Sequence, residues 1–353
     1  MPLPLNAHIF ITGVTGFVGG TILEKITGAL GHRQCTISVL VRQASDIRKI
    51  QHAFPSVKCI HGDLEDAPGL RIAAFNADMV IHNALSSDHL PSIQAIAEGL
   101  RARQKTSYLV LTSGTGILTY ESLVHATPGD FLDPKIWSDR GKDLEELVFE
   151  GPSSIPEGFS HRPVEKFVLS LGHETNGQIK VAIVSPPTIY GRGTGPCRTS
   201  SLQIPSLIHE FLSCSTAFCV GRGCNIWSSV HVEDLAKFYL FLITRASWIT
   251  EGHDEAWSGK AYYFIESGAY SGSGLAIEIA KVLHDKQLLP TPEVKHVTME
   301  DLVGLGVSMT EKSAAALGWW PTEKDITSLL TQEVDAYLDA GVKVVLPDVD
   351  VAL

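Results

Sequence analysis

Three glycines at a fixed spacing carry the clearest chemistry in this sequence. Thr12-Gly13-Val14-Thr15-Gly16-Phe17-Val18-Gly19 sets them as Gly-x-x-Gly-x-x-Gly, directly after the apolar run His8-Ile9-Phe10-Ile11. That order reads as a strand, a tight turn and the start of a helix. Gly13 permits the turn, Gly16 lets the backbone approach a pyrophosphate, and Gly19 lets the helix pack closely on the strand. The helix start at Phe17 and Val18 then offers N–H groups and the positive end of its dipole to phosphates. The pattern points to a bound dinucleotide. The next strand ends in Val41-Arg42. A carboxylate there would hold a ribose 2′-hydroxyl, whereas an Arg favours a 2′-phosphate, so the expected cofactor is NADP(H). Arg48 and Lys49 stand where they could assist. Gly62-Asp63-Leu64 closes the third strand, where an Asp commonly meets the adenine.

The elements that must hold this loop follow from the apolar pattern. Thr36–Val41, Val57–Ile60, Met79–His82, Tyr108–Thr112 and Lys180–Ser185 are further short apolar runs. Between them lie helical patterns, such as Ile22, Leu23, Ile26 and Leu30. Strands buried on both faces read as near-continuous apolar runs, and strand–helix alternation implies a parallel sheet covered on both sides. The expected fold class is α/β: a Rossmann-type doubly wound parallel sheet with a smaller, mainly helical C-terminal substrate-binding portion. Residues 1–191 are expected to form the dinucleotide-binding domain, to which the chain returns over about 230–265. Residues 192–229 and 266–353 make the substrate-binding portion. Val230–Thr244 reads as a short strand and an apolar helix, and the last helix spans Ile326–Leu338. Residues 114–156 form a long connection carrying Tyr120, Phe131 and Trp137. Connections of that length are usually functional or disordered, and the aromatics favour a lid or pocket wall.

Composition narrows the partners. The 353 residues are 44% hydrophobic and 19% charged, ordinary for a folded soluble protein. Lys and Arg total 28 against 39 Asp and Glu, a formal net charge of −11 that argues against nucleic acid or an acidic membrane surface. The six Cys, at 35, 59, 197, 214, 219 and 224, form no Cys-x-x-Cys pair and complete no zinc pattern. No metal is expected, and reduced thiols suit a cytoplasmic protein. The start Met-Pro-Leu-Pro-Leu-Asn lacks the charged segment of a signal peptide, and the apolar stretch Phe238–Ile243 is too short to span a bilayer. The oligomeric state is left open, a homodimer included.

Further motifs run along nearly the whole chain: Asn83-Ala84, Pro186-Pro187-Thr188-Ile189-Tyr190-Gly191, Val230-His231-Val232-x-Asp234 and Ala316-Leu317-Gly318-Trp319. With the glycine loop and Gly62-Asp63-Leu64 they make the chain resemble the extended short-chain dehydrogenase/reductase superfamily. More narrowly, it resembles a fungal epimerase-like branch that includes ene-reductases of polyketide pathways such as griseofulvin biosynthesis. The resemblance implies cofactor contacts from Gly13, Thr15, Gly16, Phe17, Val18, Arg42, Asp63, Leu64, Asn83, Ala84, Thr112, Pro186 and Thr188.

The superfamily's chemistry rests on a Tyr-x-x-x-Lys pair and a Ser or Thr after the fifth strand. The Tyr passes a proton to or from the substrate oxygen, and the Lys lowers the Tyr pKa and holds the nicotinamide ribose. Here the segment reads Glu157-Gly158-Phe159-Ser160-His161-Arg162-Pro163-Val164-Glu165. Against the usual Tyr-Gly-x-Ser-Lys-x-x-x-Glu, the match of Gly158, Ser160 and Glu165 puts Glu157 at the Tyr position and His161 at the Lys position. A second register makes Lys166 the lysine and Arg162 the Tyr position. Both lack the Tyr. In Thr112-Ser113-Gly114-Thr115, Gly114 stands where the hydroxyl is usual, leaving Ser113 or Thr115 to substitute. Trp227 lies three residues before Val230, where nucleotide-sugar members carry an Arg for the diphosphate. An aromatic there cannot bind phosphate bidentately but can stack on a flat ring, or serve as a core residue of a hairpin.

Ketone reduction without the Tyr loses a general acid worth about 10²–10⁴-fold. Conjugate reduction of an enone asks instead for an oxyanion partner and a positioned nicotinamide. The expected catalytic residues are His161, an acid titrating near neutrality, with Ser113, Thr115 and Glu157. Tyr190, Trp227 and Trp137 are the expected substrate contacts, Tyr190 also being a further oxyanion candidate. Ser160 reads as a helix N-cap with Pro163 in the first turn, and His231 as a residue fixing a strand–helix junction. The expected function is NADPH-dependent reduction of a conjugated, apolar, aromatic or polyketide-like small molecule. The alternatives are a redox-neutral isomerase, dehydratase or cyclase with Glu157 and His161 as its acid–base pair, and a non-catalytic NADP(H)-sensing protein.

Overall fold

The computed structural model describes residues 4, 6–30, 35–119, 129, 136–150, 160–248, 255–257, 261–297 and 322–340. Strands β1 (His8–Ile11), β2 (Thr36–Val41), β3 (Lys58–His61), β4 (Met79–His82), β5 (Ser107–Thr112) and β6 (Ile179–Ser185) alternate with helices α1 (Phe17–Leu30), α2 (Ala44–Ala53), α3 (Ala67–Asn76), α4 (Leu90–Ala102) and α5 (Arg162–Glu174). All are paired in parallel. A strand from much later in the chain, β10 (Tyr262–Phe264), completes a seven-stranded sheet of order β10-β6-β5-β4-β1-β2-β3.

The period-two alternation of strands sorts side chains into two cores. From β1, Ile9 and Ile11 enter one core with Ile22, Leu23, Phe238 and Leu242. Phe10 enters the other with Ile93, Ile96, Leu109, Val164 and Val168. All are fully buried, each contributing about 1.5–3 kcal/mol by leaving water. Helices therefore cover both faces, as the apolar pattern requires. Phe238 and Leu242 belong to α7 (Val232–Trp248), through which the later chain packs back on the sheet against α1.

The smaller portion contains α6 (Gln203–Ser213), α8 (Gly272–Asp285) and α9 (Ile326–Ala340) around a third core that includes Ile208, Phe211, Ile279, Leu283 and Leu330. It is mainly helical, as its sequence suggests, with short strands beside the helices. β7 (Thr188–Tyr190), β9 (Ile226–His231) and β11 (Gly268–Ser271) form one small sheet, and β8 (Ala217–Val220) pairs with β12 (Val294–Val297) in another. These strands are short and pair with distant segments, so no local pattern marks them. β9 also begins at Ile226, ahead of the expected start at Val230.

Of the long connection expected to form a lid, Tyr120 and Phe131 lie outside the described residues, as do the catalytic candidate Glu157 and Ala316–Trp319. Trp137 is described and corrects its assignment as a substrate contact. It is buried in the second core cluster together with Leu144, Leu147 and Val148, because a π-helical stretch, Glu145–Glu150, covers it. Among the described residues, no helix is long and apolar enough to cross a membrane.

Candidate active site

The strand order reverses at β1 and β4, and open α/β sheets bind ligands at such a switch point. Gly13 there has φ +77°, and a Cβ on it would stand 2.8 Å from the Ala84 amide nitrogen. A Cβ on Gly19 would come within 2.3 Å of the Gly13 carbonyl oxygen, whereas one on Gly16 would meet only that oxygen, at 3.2 Å. Gly13 and Gly19 are thus demanded by the chain's packing on itself, and Gly16 keeps an open face. Thr15 lies half-buried in the same turn, beside the first-turn N–H groups of Phe17 and Val18, which have no intrahelical acceptor. Backbone donors with no side chain in the way fit the pyrophosphate of a nicotinamide dinucleotide.

Thr12 locks this corner. Its hydroxyl accepts from the N–H groups of Asn83 at 3.1 Å and Ala84 at 3.2 Å and donates to His82 Nδ1 at 2.8 Å. His82 Nε2 then donates to Ser92 at 3.0 Å. Burial, with nearby His89, pushes the His82 pKa down to about 3, so the ring is neutral, as this pattern requires. Asn83 donates to the Thr12 carbonyl at 3.3 Å and accepts from the Thr112 hydroxyl, which itself accepts from Tyr239 at 2.5 Å. The side chains of Asn83 and Thr112 therefore hold strand ends together, leaving main chain to face a cofactor.

Where the sequence expects the adenine, Arg42 is exposed at the end of β2, and its carbonyl accepts from His61 at 3.2 Å. Lys49, exposed one turn into α2, is paired with Asp46 at 2.8 Å. Asp63 is exposed and caps the Glu65 N–H at 3.0 Å, with Leu64 half-buried beside it. The Pro186 carbonyl accepts from the Thr115 N–H at 3.2 Å. Thr188 departs from its expected cofactor contact: its buried hydroxyl pairs with Tyr270 at 2.7 Å inside the small sheet.

At the end of β5 the structure gathers residues from four separate segments. His161 stands at the N-terminus of α5, its Nδ1 2.9 Å from Asp88 Oδ1 in the loop after β4. Its Nε2 faces the turn Gly114–Gly116: a Cβ on Gly114 would lie 3.1 Å from it, and one on Gly116 3.0 Å. Two sequence departures thus explain each other, since the imidazole occupies the room that a hydroxyl-bearing residue at 114 would need. One helical turn on, Glu165 is completely buried. Its Oε1 accepts from Ser113 at 2.5 Å and from Tyr262 at 2.8 Å, while Oε2 has no hydrogen-bond partner among the described residues. Burial holds the Glu165 carboxyl above its ordinary range, offset in part by His161, Ser113 and Tyr262. Burial pulls His161 down, but Asp88 and Glu165 outweigh it and leave the ring's pKa raised.

Several expectations change here. Ser113 does not offer a free proton to a substrate, because its hydroxyl is committed to Glu165. Thr115 is half-buried at the start of a 3₁₀ turn, and its hydroxyl makes no hydrogen bond among the described residues, so it is the hydroxyl that remains. Arg162 is buried and donates to the carbonyls of Val148 and Phe149, both at 3.2 Å. Lys166 follows Glu165 and so projects about 100° around the helix from it. Neither residue of the second register therefore shares the face of His161 and Glu165, and these two have the four-residue spacing of the superfamily's pair. Ser160 is not an N-cap; it takes φ +42°, and His161 holds the N-cap position without a side-chain cap bond, while Pro163 does lie in the first turn. Sequence reasoning missed Asp88, Tyr262 and the role of Glu165, since nothing local ties them to His161.

The substrate side differs most from expectation. Tyr190 is fully buried in the third core and donates to the Lys324 carbonyl at 2.6 Å, which corrects its assignment as a substrate or oxyanion contact. Trp227 is half-buried on β9, opposite Tyr270. The His231 ring accepts from the Glu233 N–H at 3.2 Å, at the junction of β9 and α7. A cavity of about 590 Å³ lies between the Gly191–Ser200 segment and α9, edged by Arg192, His231 and Glu333; neither Tyr190, Trp227 nor Trp137 lines it.

Residues 9–254 match the profile of the NAD dependent epimerase/dehydratase family. A protein of Acremonium sp. named oxidase ucsJ is 29% identical over 308 residues, 85% of this chain and 86% of its own. An uncharacterized protein of Schizosaccharomyces pombe is 25% identical over 94% of this chain and 99% of its own. Among solved structures, dTDP-glucose 4,6-dehydratase of Bacillus anthracis in complex with NAD superposes with a TM-score of 0.67 at 15% identity, over 94% of this chain and 97% of that one. Vestitone reductase from alfalfa superposes at 0.58 with 16% identity, over 95% and 99%. Glycine loop, strand order and family match agree: the chain belongs to the NAD-dependent epimerase/dehydratase family, on an extended short-chain dehydrogenase/reductase scaffold.

Proposed function

We propose that this protein is an NADPH-dependent reductase of a conjugated, apolar small molecule, with His161 as its acid. The observation that carries the reading is the His161 imidazole filling the space over Gly114 and Gly116. The glycine loop with Phe17 and Val18 would hold the pyrophosphate, and Arg42 a 2′-phosphate. A bound nicotinamide supplies hydride. The chain's own task is at the substrate oxygen, where negative charge develops in a conjugate reduction. A cationic His161 presents Nε2–H there, with the Thr115 hydroxyl as a second donor. That the Acremonium relative is named an oxidase supports a redox reading. Trp227 in place of a diphosphate-binding Arg favours a flat, uncharged substrate. The substrate is a free small molecule in the cytoplasm, with neither nucleic acid nor membrane as partner.

A second reading, redox-neutral acid–base chemistry, draws on the same gathering of Asp88, His161 and Glu165. One experiment separates them. Purified protein is incubated with a panel of enones and matched ketones, following nicotinamide absorbance in both directions with NADPH and NADH. Enone-dependent NADPH oxidation is expected. Turnover without any absorbance change would favour the redox-neutral reading, and inertness across the panel would remove the reductase.

A further inference from the structure

The ring of His161 has two nitrogens, and the structure gives them different surroundings. Nδ1 lies 2.9 Å from Asp88 Oδ1, and Nε2 faces the backbone turn Gly114–Gly116. The other Asp88 oxygen accepts from Ser87 at 2.6 Å, so the carboxylate is held at both ends. The backbone is bent to achieve this. Leu85 takes φ +42° and its carbonyl accepts from the N–H groups of Asp88 at 3.2 Å and His89 at 3.0 Å, closing a turn that aims Asp88 at α5. Ser160, immediately before His161, is left-handed as well. Branched or polar residues seldom adopt this conformation unless the surroundings require it.

We propose that Asp88 is the positioning residue of this site: it accepts the Nδ1–H of His161 and so leaves Nε2, over the Gly114–Gly116 turn, to carry the proton that moves. The proposal rests on the reductase reading for the identity of the acceptor. In the step, the Nε2–H bond breaks and an O–H bond forms at the substrate oxygen that has received the electron pair. The imidazolium becomes a neutral imidazole that keeps its Nδ1–H on Asp88, and solvent returns a proton to Nε2. Among the described residues two charged groups face the ring, Asp88 from the loop after β4 and Glu165 from its own helix; the Gly114–Gly116 turn brings no charged group. Both carboxylates favour the cation and burial opposes it. Glu165 is itself approached by the Ser113 and Tyr262 hydroxyls.

The test reads the ring directly. Histidine ring ¹⁵N–¹H correlations are recorded against pH on the free protein, for wild type, Asp88→Asn and Asp88→Glu, with His161→Gln for assignment. The wild-type ring should titrate above the ordinary value of about 6.5 and show a protected Nδ1–H. In Asp88→Asn that resonance should vanish and the midpoint fall, and Asp88→Glu should restore both. With an enone and NADPH, Asp88→Asn should lower kcat by about 10²-fold at unchanged KM and shift the basic limb of the pH profile downward. A ring that titrates identically in wild type and Asp88→Asn overturns the proposal, as does an unchanged kcat beside a shifted ring. If no enone reacts but the ring shifts, the reductase reading fails and the Asp88–His161 pairing is supported.

Discussion

His82 and His161 stand at the ends of neighbouring structural units, and their pKa values are shifted in opposite directions. His82 ends β4 in full burial, between the hydroxyls of Thr12 and Ser92, and burial holds it neutral with a pKa of about 3. His161 begins α5 beside two carboxylates and is held above its ordinary value. The first belongs to a corner made of backbone hydrogen bonds and glycine contacts, where a neutral ring is one more tie between strands. The second belongs to a corner made of ionisable side chains, where the same ring is paired with a carboxylate and faces a glycine turn. Position alone decides which histidine is structural and which can do acid chemistry.

The contrast breaks most visibly at His161. His161→Gln should lower kcat for enone reduction by about 10²–10⁴-fold while leaving the melting temperature close to wild type, since the ring sits at a helix end. Loss of folding instead of kcat would make His161 as structural as His82. Next comes the glycine corner. Gly19→Ala should cost about 1–3 kcal/mol in urea denaturation, because its Cβ meets the Gly13 carbonyl oxygen at 2.3 Å. Gly16→Ala, with its open face, should keep stability and weaken nicotinamide dinucleotide binding in a calorimetric titration.

The pH dependence of stability sharpens the comparison further. The native His82 ring stays neutral down to about pH 3, whereas in the unfolded chain it protonates near 6.5. Its contribution is therefore full above pH 6.5 and falls by about 1.4 kcal/mol per pH unit as the pH drops towards 3. Denaturation curves of His82→Gln should show a shallower acid slope. His161, with its raised pKa, has the opposite sign: its contribution is present below 6.5 and lost as the pH rises through the native value. The smallest effect is expected at exposed Arg42, where Arg42→Glu should weaken NADPH binding by about tenfold, relative to NADH, with no change in stability. Equal affinities for the two cofactors in wild type would remove Arg42 from the site.

The parallel sheet, the order of strands and helices and the cofactor loop were legible because each is local. The run His8–Ile11 followed by glycines at 13, 16 and 19 specifies a strand, a turn and a close helix within twelve residues, and apolar periodicity repeats the message. The acid corner was legible only in part. His161 and Gly114 stand out as departures, but a departure says what is missing and not what replaces it. Asp88, Gly114, His161 and Tyr262 are separated by up to 174 positions and meet because β4, β5, β6 and β10 end side by side at one sheet edge. Tyr190 and Trp137 mislead for the same reason, since an aromatic in sequence carries no mark of whether it faces a pocket or a core. By itself, the sequence determined the α/β class, the family and the strand, glycine turn and helix of the first unit, all properties of contiguous segments. Only the tertiary structure decided which nitrogen of His161 is held by Asp88, and that Glu165 and not Lys166 lies beneath it, because charge and burial at a site are summed over neighbours that the chain brings together only on folding.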